Sequence, residues 1–276
     1  MSCSGRLDER LRDLERRARA GDADAAARLA AERERTRASL APASTRRLDL
    51  LPHPVELRRR WIALSLLHVL LGEGELVHPE DDDDRVRDFY FQPDWSAGEQ
   101  TGCFDDIQGE RMFAVFSAAG VYFQGFAHER PMTPFRRDPP TPWPGLFDGL
   151  PPGLARNVDE PAFQARLETT FLVWWDATAP GWRTGVTRWH DDRDPDGSEE
   201  LLAELTGSVE GVHRYLNACF DERASALRAD ALRAVLGHET LTPELARALR
   251  PDADPELVAA WARELRYGSP WPFAWS

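Results

Sequence analysis

The chain has 276 residues, with 34 basic against 47 acidic side chains and a formal net charge of −13. Apolar residues make up 42% and charged residues 29%, which excludes a disordered polyampholyte. No apolar run approaches the ~20 residues needed to span a bilayer, so no membrane association is expected.

Cys3, Cys103 and Cys219 are odd in number and far apart. That pattern excludes a disulfide scaffold and a thiolate metal site, and points to a reducing, cytoplasmic compartment. Met1 to Gly21 are charged throughout, without the apolar middle of a secretory leader. Every basic residue is an arginine. Schiff-base chemistry, a pyridoxal phosphate lysine, a Ser–Lys dyad, and the P-loop and kinase lysines are therefore all excluded. No cofactor is expected.

Charge is uneven along the chain. Residues 1–60 hold fifteen arginines against ten acids, and residues 61–276 hold nineteen against thirty-seven. An acidic body disfavours nucleic-acid binding and suits a basic protein partner.

Leu7, Leu11, Leu14 and Ala18 line one helix face, and after Gly21 a second helix is expected from Asp22 towards Leu40. The arginines here alternate with acids four residues away, which fits a solvated helix face better than a nucleic-acid arm. Pro52-His53-Pro54 punctuates the chain before a third helix, Val55 to Leu71, apolar around most of its circumference and so buried on several sides. Gly72-x-Gly74 ends it, without the context of a dinucleotide fingerprint. Asp81 to Asp84 read as an acidic loop.

Val86 to Phe91 fit a short strand, and Arg111–Ser117 with Val121–Phe126 form the clearest strand pair, joined at Ala118-Ala119-Gly120. Eight prolines between Pro131 and Pro152 then exclude a helix or central strand and predict a stiff loop carrying Phe135, Trp143, Leu146 and Phe147. A short helix is expected near Pro161–Leu167. Thr169–Asp176, apolar on both faces, reads as a central strand, and Trp182–Trp189 as its antiparallel neighbour across Pro180-Gly181. Helices follow near Ser198–Phe220, Arg223–Leu236, Thr242–Leu249 and Pro255–Leu265. The aromatic end, Trp271 to Trp275, should dock on the body.

This order predicts an α+β fold: a central antiparallel sheet over about 86–190, flanked by N-terminal and C-terminal helices. Residues 1–75 are expected to form an N-terminal helical segment. Residues 76–276 would form the α+β domain, with its C-terminal helices over about 198–266.

Gly125-Phe126-Ala127-His128-Glu129-Arg130-Pro131-Met132-Thr133-Pro134-Phe135, Trp143-Pro144-Gly145, Gly149-Leu150-Pro151, Thr169-Thr170-Phe171 and Asp194-Pro195-Asp196-Gly197-Ser198 together resemble an uncharacterised family of bacterial cytoplasmic proteins. The resemblance covers about residues 85–265. It implies a bacterial α+β protein and carries no activity, ligand or catalytic residue.

Three local features bear on chemistry. His128-Glu129, after a strand and before the stiff loop, could act as an acid–base pair or could pin the loop by hydrogen bonds. Adjacent residues on an extended chain point opposite ways, so the two need not touch. Arg130, Phe135 and Trp143 are the loop residues suited to contact a partner. Asp192, Asp194 and Asp196, followed by Gly197, match the first half of a calcium loop, but Ala203 stands where a bidentate Glu is needed. The simpler account of Asp196-Gly197-Ser198 is a turn that caps the next helix. A divalent-ion site shared by Asp81–Asp84, His78 and the 191–196 acids is a further alternative. No nucleophile elbow, His-Glu-x-x-His or kinase set is present.

The leading expectation is a non-enzymatic binding protein, of immunity or accessory type, for a basic protein partner. The alternative is a small hydrolase-like or metal-dependent enzyme using His128 and Glu129 beneath the proline-rich loop.

Overall fold

A computed structural model describes residues 42–72, 88–106, 109–163, 166–220 and 222–275. Contacts divide the chain into units 1–41 and 42–276, and every described residue belongs to the second. The helices expected before Leu40 and the acidic loop at Asp81–Asp84 lie outside the described residues. Helix α1 (Pro54–Leu71) is included with the sheet, so the contacts divide the chain after residue 41 and not after 75. Its composition gives the reason: a helix apolar on all sides must be covered on all sides.

Six strands run as an antiparallel meander in the order β1 (Asp88–Ser96), β2 (Glu99–Asp105), β3 (Glu110–Ser117), β4 (Gly120–Ala127), β5 (Phe171–Asp176) and β6 (Ala179–Arg183). Helices α2 (Pro152–Ala155), α3 (Ser198–Leu201), α4 (Ala203–Thr206), α5 (Val209–Phe220), α6 (Glu222–Ser225), α7 (Ala229–Leu236), α8 (Pro243–Leu249) and α9 (Pro255–Glu264) follow the order expected of an α+β chain. Their starts are written locally. Thr242 accepts from the Leu245 N–H and Asp254 from the Glu256 N–H, each directly before a proline at the first helical position.

Period-two alternation sends the strand residues to two cores. Met112, Ala114, Phe116, Val121, Phe123, Phe171 and Val173 face α1 and the C-terminal helices. Val115, Tyr122, Leu172 and Trp174 face the opposite way, against Met132, Leu146, Leu154, Val158 and Phe163 of the proline-rich insertion and Val186. Antiparallel sheets commonly leave one face to water. Here the insertion covers the second face, and all eight residues of β4 are buried. Each large apolar side chain so buried contributes about 1.5–3 kcal/mol.

Trp61 of α1 shows how closely helix and sheet meet. Its ring lies over Gly102 of β2, where a Cβ would fall 2.3 Å from a ring carbon, and its indole N–H donates to the Cys103 carbonyl at 3.2 Å. The C-terminal aromatics dock as expected: Trp271 meets Phe116 edge-on, and the Trp275 indole donates to the Ser117 carbonyl at 3.1 Å.

Two expectations are corrected and one strand is added. Glu99–Asp105, for which the sequence pattern predicts no element, is a strand whose polar start hides the alternation. The strand expected at Trp182–Trp189 instead covers Ala179–Arg183: the hairpin turn is Ala177-Thr178, and Pro180-Gly181 belongs to the edge strand, where a proline costs no ladder bond. The helix expected over Ser198–Phe220 is broken into three, interrupted at Leu202 and Gly207. Among the described residues no helix is long and apolar enough to cross a membrane.

Candidate functional site

The turn after β4 carries the first candidate pair. The Arg130 N–H bonds the Ala127 carbonyl at 3.2 Å, which places His128 and Glu129 at the tip of a tight turn, both exposed. The Ala127 N–H donates to the Thr170 hydroxyl at 3.0 Å, and that hydroxyl donates to the Asp196 carbonyl at 2.6 Å, so the turn is tied down from behind. Glu129 offers its carbonyl to the Arg136 guanidinium at 2.8 Å.

The carboxylate that meets His128 is Glu110. The β3–β4 register pairs Glu110 with Ala127, and a Cβ on neighbouring Gly109 would lie 3.0 Å from the His128 Cβ. Glu110 accepts from the His128 backbone N–H. Its own N–H donates to Asp106 Oδ1 at 2.9 Å. Burial, aided by the nearby Asp106 charge, holds the Glu110 carboxyl above the usual carboxylate range, against the pull of Arg130 and His128. Its Oε2 is buried with no hydrogen-bond partner among the described residues.

Around this carboxyl the end of the sheet is rich in acids. Arg111 donates to Asp105 at 2.8 Å and to Glu168 at 2.7 Å, and Arg130 pairs with Glu200. Arg111 and Arg130 thus meet Asp105, Glu168 and Glu200, with Asp106 and Glu110 close by. Beside them Phe126, buried, touches His128 and Phe135 edge-on at 6.3 and 5.9 Å between ring centroids. Phe135 is 49% exposed, an unusual state for its ring. Through His128 the corner joins an exposed apolar rim to a buried acceptor that has no partner among the described residues. It suits a cationic group carried on an apolar stem.

Trp143 makes its contacts elsewhere. Its indole donates to the Arg188 carbonyl at 2.8 Å, and the Arg137 guanidinium lies 4.6 Å from its ring. Of the loop residues singled out from the sequence, Arg130 and Phe135 join the His128 corner and Trp143 braces the loop.

The three aspartates that match a calcium loop hold three separate sets of contacts. Asp192 pairs with His190 at 3.2 Å. Asp194 accepts from the Glu199 and Glu200 N–H groups at 3.1 and 3.2 Å, a carboxylate at the start of α3. Asp196 is buried. Its Oδ2 accepts from the Thr45 hydroxyl at 2.5 Å, and its Oδ1 from the Ser198 N–H and hydroxyl at 3.1 and 2.7 Å. Among the described residues no group of three His, Cys, Asp or Glu side chains could hold a metal ion. The alternating aspartates serve turn geometry and capping, whose spacing coincides with that of a ligand loop.

Glu110 and Phe126 were missed as site residues by sequence reasoning. Glu110 stands eighteen positions before His128, and only the strand register joins them. No family model, curated protein or solved structure matches the chain.

Proposed function

We propose that the chain is a binding protein for a basic protein partner, and that it receives an arginine or lysine of that partner at the Glu110–His128–Phe135 corner. The observations that carry this reading are Glu110 Oε2, buried without a hydrogen-bond partner among the described residues, and the exposed Phe135 ring, which is joined to His128 through Phe126. A guanidinium or ammonium would supply the missing donor and lower the Glu110 pKa, and Phe135 would cover the stem. The excess of eighteen acids over arginines along residues 61–276 favours encounter with such a partner. An immunity or accessory role in a bacterial cytoplasm fits this chemistry, the resemblance in the Gly125–Phe135 block, and the odd number of widely spaced cysteines.

Affinity capture with the purified chain tests it. The expected result is a basic protein retained by the wild type at low salt, released by added salt, and lost with a Glu110→Gln/Phe135→Ala double variant. Equal capture by both forms, or a chain that stays monomeric and alone in native mass spectrometry, would contradict the reading.

The enzymatic alternative gains one specific support: burial raises the pKa of the Glu110 carboxyl beside His128. A hydrolytic role predicts that Glu110→Gln abolishes turnover of ester probes while leaving partner capture intact.

A further inference from the structure

Helices α7 and α9 end in the same unusual way. Each finishes on a left-handed residue with a side chain, His238 at φ 56° and Arg266 at φ 55°. In each the next residue's N–H reaches back into the helix, from Glu239 to the Ala234 carbonyl at 2.9 Å and from Tyr267 to the Ala262 carbonyl at 2.7 Å. Glycine is the usual occupant of this position, and a side chain there costs on the order of 1 kcal/mol. Strain of this kind persists only where surrounding structure enforces it.

The two strained ends are fastened to each other. The His238 and Tyr267 rings stack with centroids 4.4 Å apart and planes 13° apart. The Gly268 N–H donates to His238 Nδ1 at 3.3 Å, which makes Nε2 the protonated nitrogen, and Nε2 lies 2.6 Å from the Arg59 carbonyl. The Tyr267 hydroxyl donates to the Val235 and Glu239 carbonyls. The result is a fixed aromatic wall.

That wall lines a cavity of about 460 Å³, a size suited to a small ligand. Leu241, Ala259 and Ala262 add apolar surface, while Arg263, Glu239, Thr240 and Ser269 bring polar groups. Arg263 spends its Nε on the Ala259 carbonyl at 3.2 Å. Among the described residues no carboxylate pairs with Arg263 and no cation pairs with Glu239. Arg263 and Glu239 thus line the same cavity as the rigid His238–Tyr267 wall.

We propose that this cavity binds a small zwitterion with an apolar or aromatic side chain, of the free α-amino acid class, its carboxylate held by Arg263, its ammonium by Glu239, and its side chain against the His238–Tyr267 wall. A lone anion would face Glu239 and a lone cation Arg263, so both ligand charges are required. The pre-stacked wall limits the ordering cost of binding. The site is independent of the Glu110 corner.

Calorimetric titration with L-phenylalanine, 3-phenylpropionate and phenethylamine tests it on the full chain. The expected result is saturable binding of L-phenylalanine, with the two analogues that each lack one charge bound roughly tenfold or more weakly. Arg263→Gln and Glu239→Gln, both at exposed positions, should each weaken L-phenylalanine binding roughly tenfold without moving the melting temperature. No saturable binding up to about 10 mM, equal binding of 3-phenylpropionate, or affinity unchanged in both variants would overturn the proposal.

Discussion

The Thr45 hydroxyl donates to the Asp196 carboxylate at 2.5 Å, joining positions 151 residues apart in the chain. Thr45 also receives the Trp189 indole N–H at 3.1 Å, and its backbone N–H donates to the Ser198 hydroxyl at 3.1 Å. One buried carboxylate therefore ties the first described segment to the turn before α3. Through the Thr170 bond to the Asp196 carbonyl, the same turn holds the end of β4, where His128 sits.

Asp196→Ala should destabilise the fold by about 2–4 kcal/mol, because it strands the Thr45 and Ser198 donors in a buried site. Asp196→Asn should cost less, since it keeps the shape and one acceptor. Burial holds the Asp196 carboxyl above its ordinary value, against its hydrogen bonds to Thr45 and Ser198. The folded chain therefore binds this proton more tightly than the unfolded chain. Stability contributed here is greatest at low pH and falls as pH rises from the ordinary carboxylate range through the folded pKa. Asp196→Asn should flatten that part of the curve, as urea unfolding between pH 4 and pH 8 would read.

Glu204 gives a second, separable pH effect. Burial pushes its carboxyl up to about 7 from an ordinary 4.5. The sign is the same: stability falls as pH rises from about 4.5 to 7. Glu204→Gln should stabilise the protein at pH 8 by on the order of 1 kcal/mol, residual solvent contact limiting the gain, and should do little at pH 4. Paired thermal melts at the two pH values check this.

His238 titrates with the opposite sign. Burial, with Arg59 and Arg58 nearby, holds its imidazole down to about 4 against an ordinary 6.5. The unfolded chain takes up the proton first, so stability is lost as pH falls from about 6.5 to 4. The His238 ring resonances should stay those of the neutral Nε2–H form at pH 5.5 in a proton–nitrogen spectrum. An ordinary midpoint near 6.5 would contradict the fixed wall described above.

Gly102→Ala tests the seat of α1 on the sheet. The added methyl would enter the Trp61 ring at 2.3 Å, and neither the strand nor the fully buried ring has room to move. A loss of about 1–3 kcal/mol is expected in chemical unfolding.

The sequence carried the strand pair Arg111–Ser117 and Val121–Phe126 because Met112, Ala114 and Phe116 alternate with Phe113 and Val115, and Val121 and Phe123 with Tyr122 and Gln124, and it carried β5 because Phe171 to Trp175 is apolar on both faces. Strand β2 was illegible because its first three residues are buried yet polar. Gln100 is held by the Arg58 guanidinium at 2.6 Å, and Thr101 donates to the Ala114 carbonyl at 3.1 Å. Those partners exist only after α1 and β3 are in place. The helix ends at His238 and Arg266 evade the usual glycine signal, since Gly237 and Gly268 stand one before and two after the left-handed residue. At the candidate site His128 was visible as a histidine after a strand. Its carboxylate neighbour was not, because adjacency in sequence favoured Glu129 while the antiparallel register delivers Glu110.

The most direct test of the corner as a docking surface is amide hydrogen exchange on the captured complex. The account predicts slowed exchange in residues 105–111 and 126–136 on partner binding, with His238–Ser269 unchanged. Protection that spares those two segments and falls on another part of the chain would contradict it.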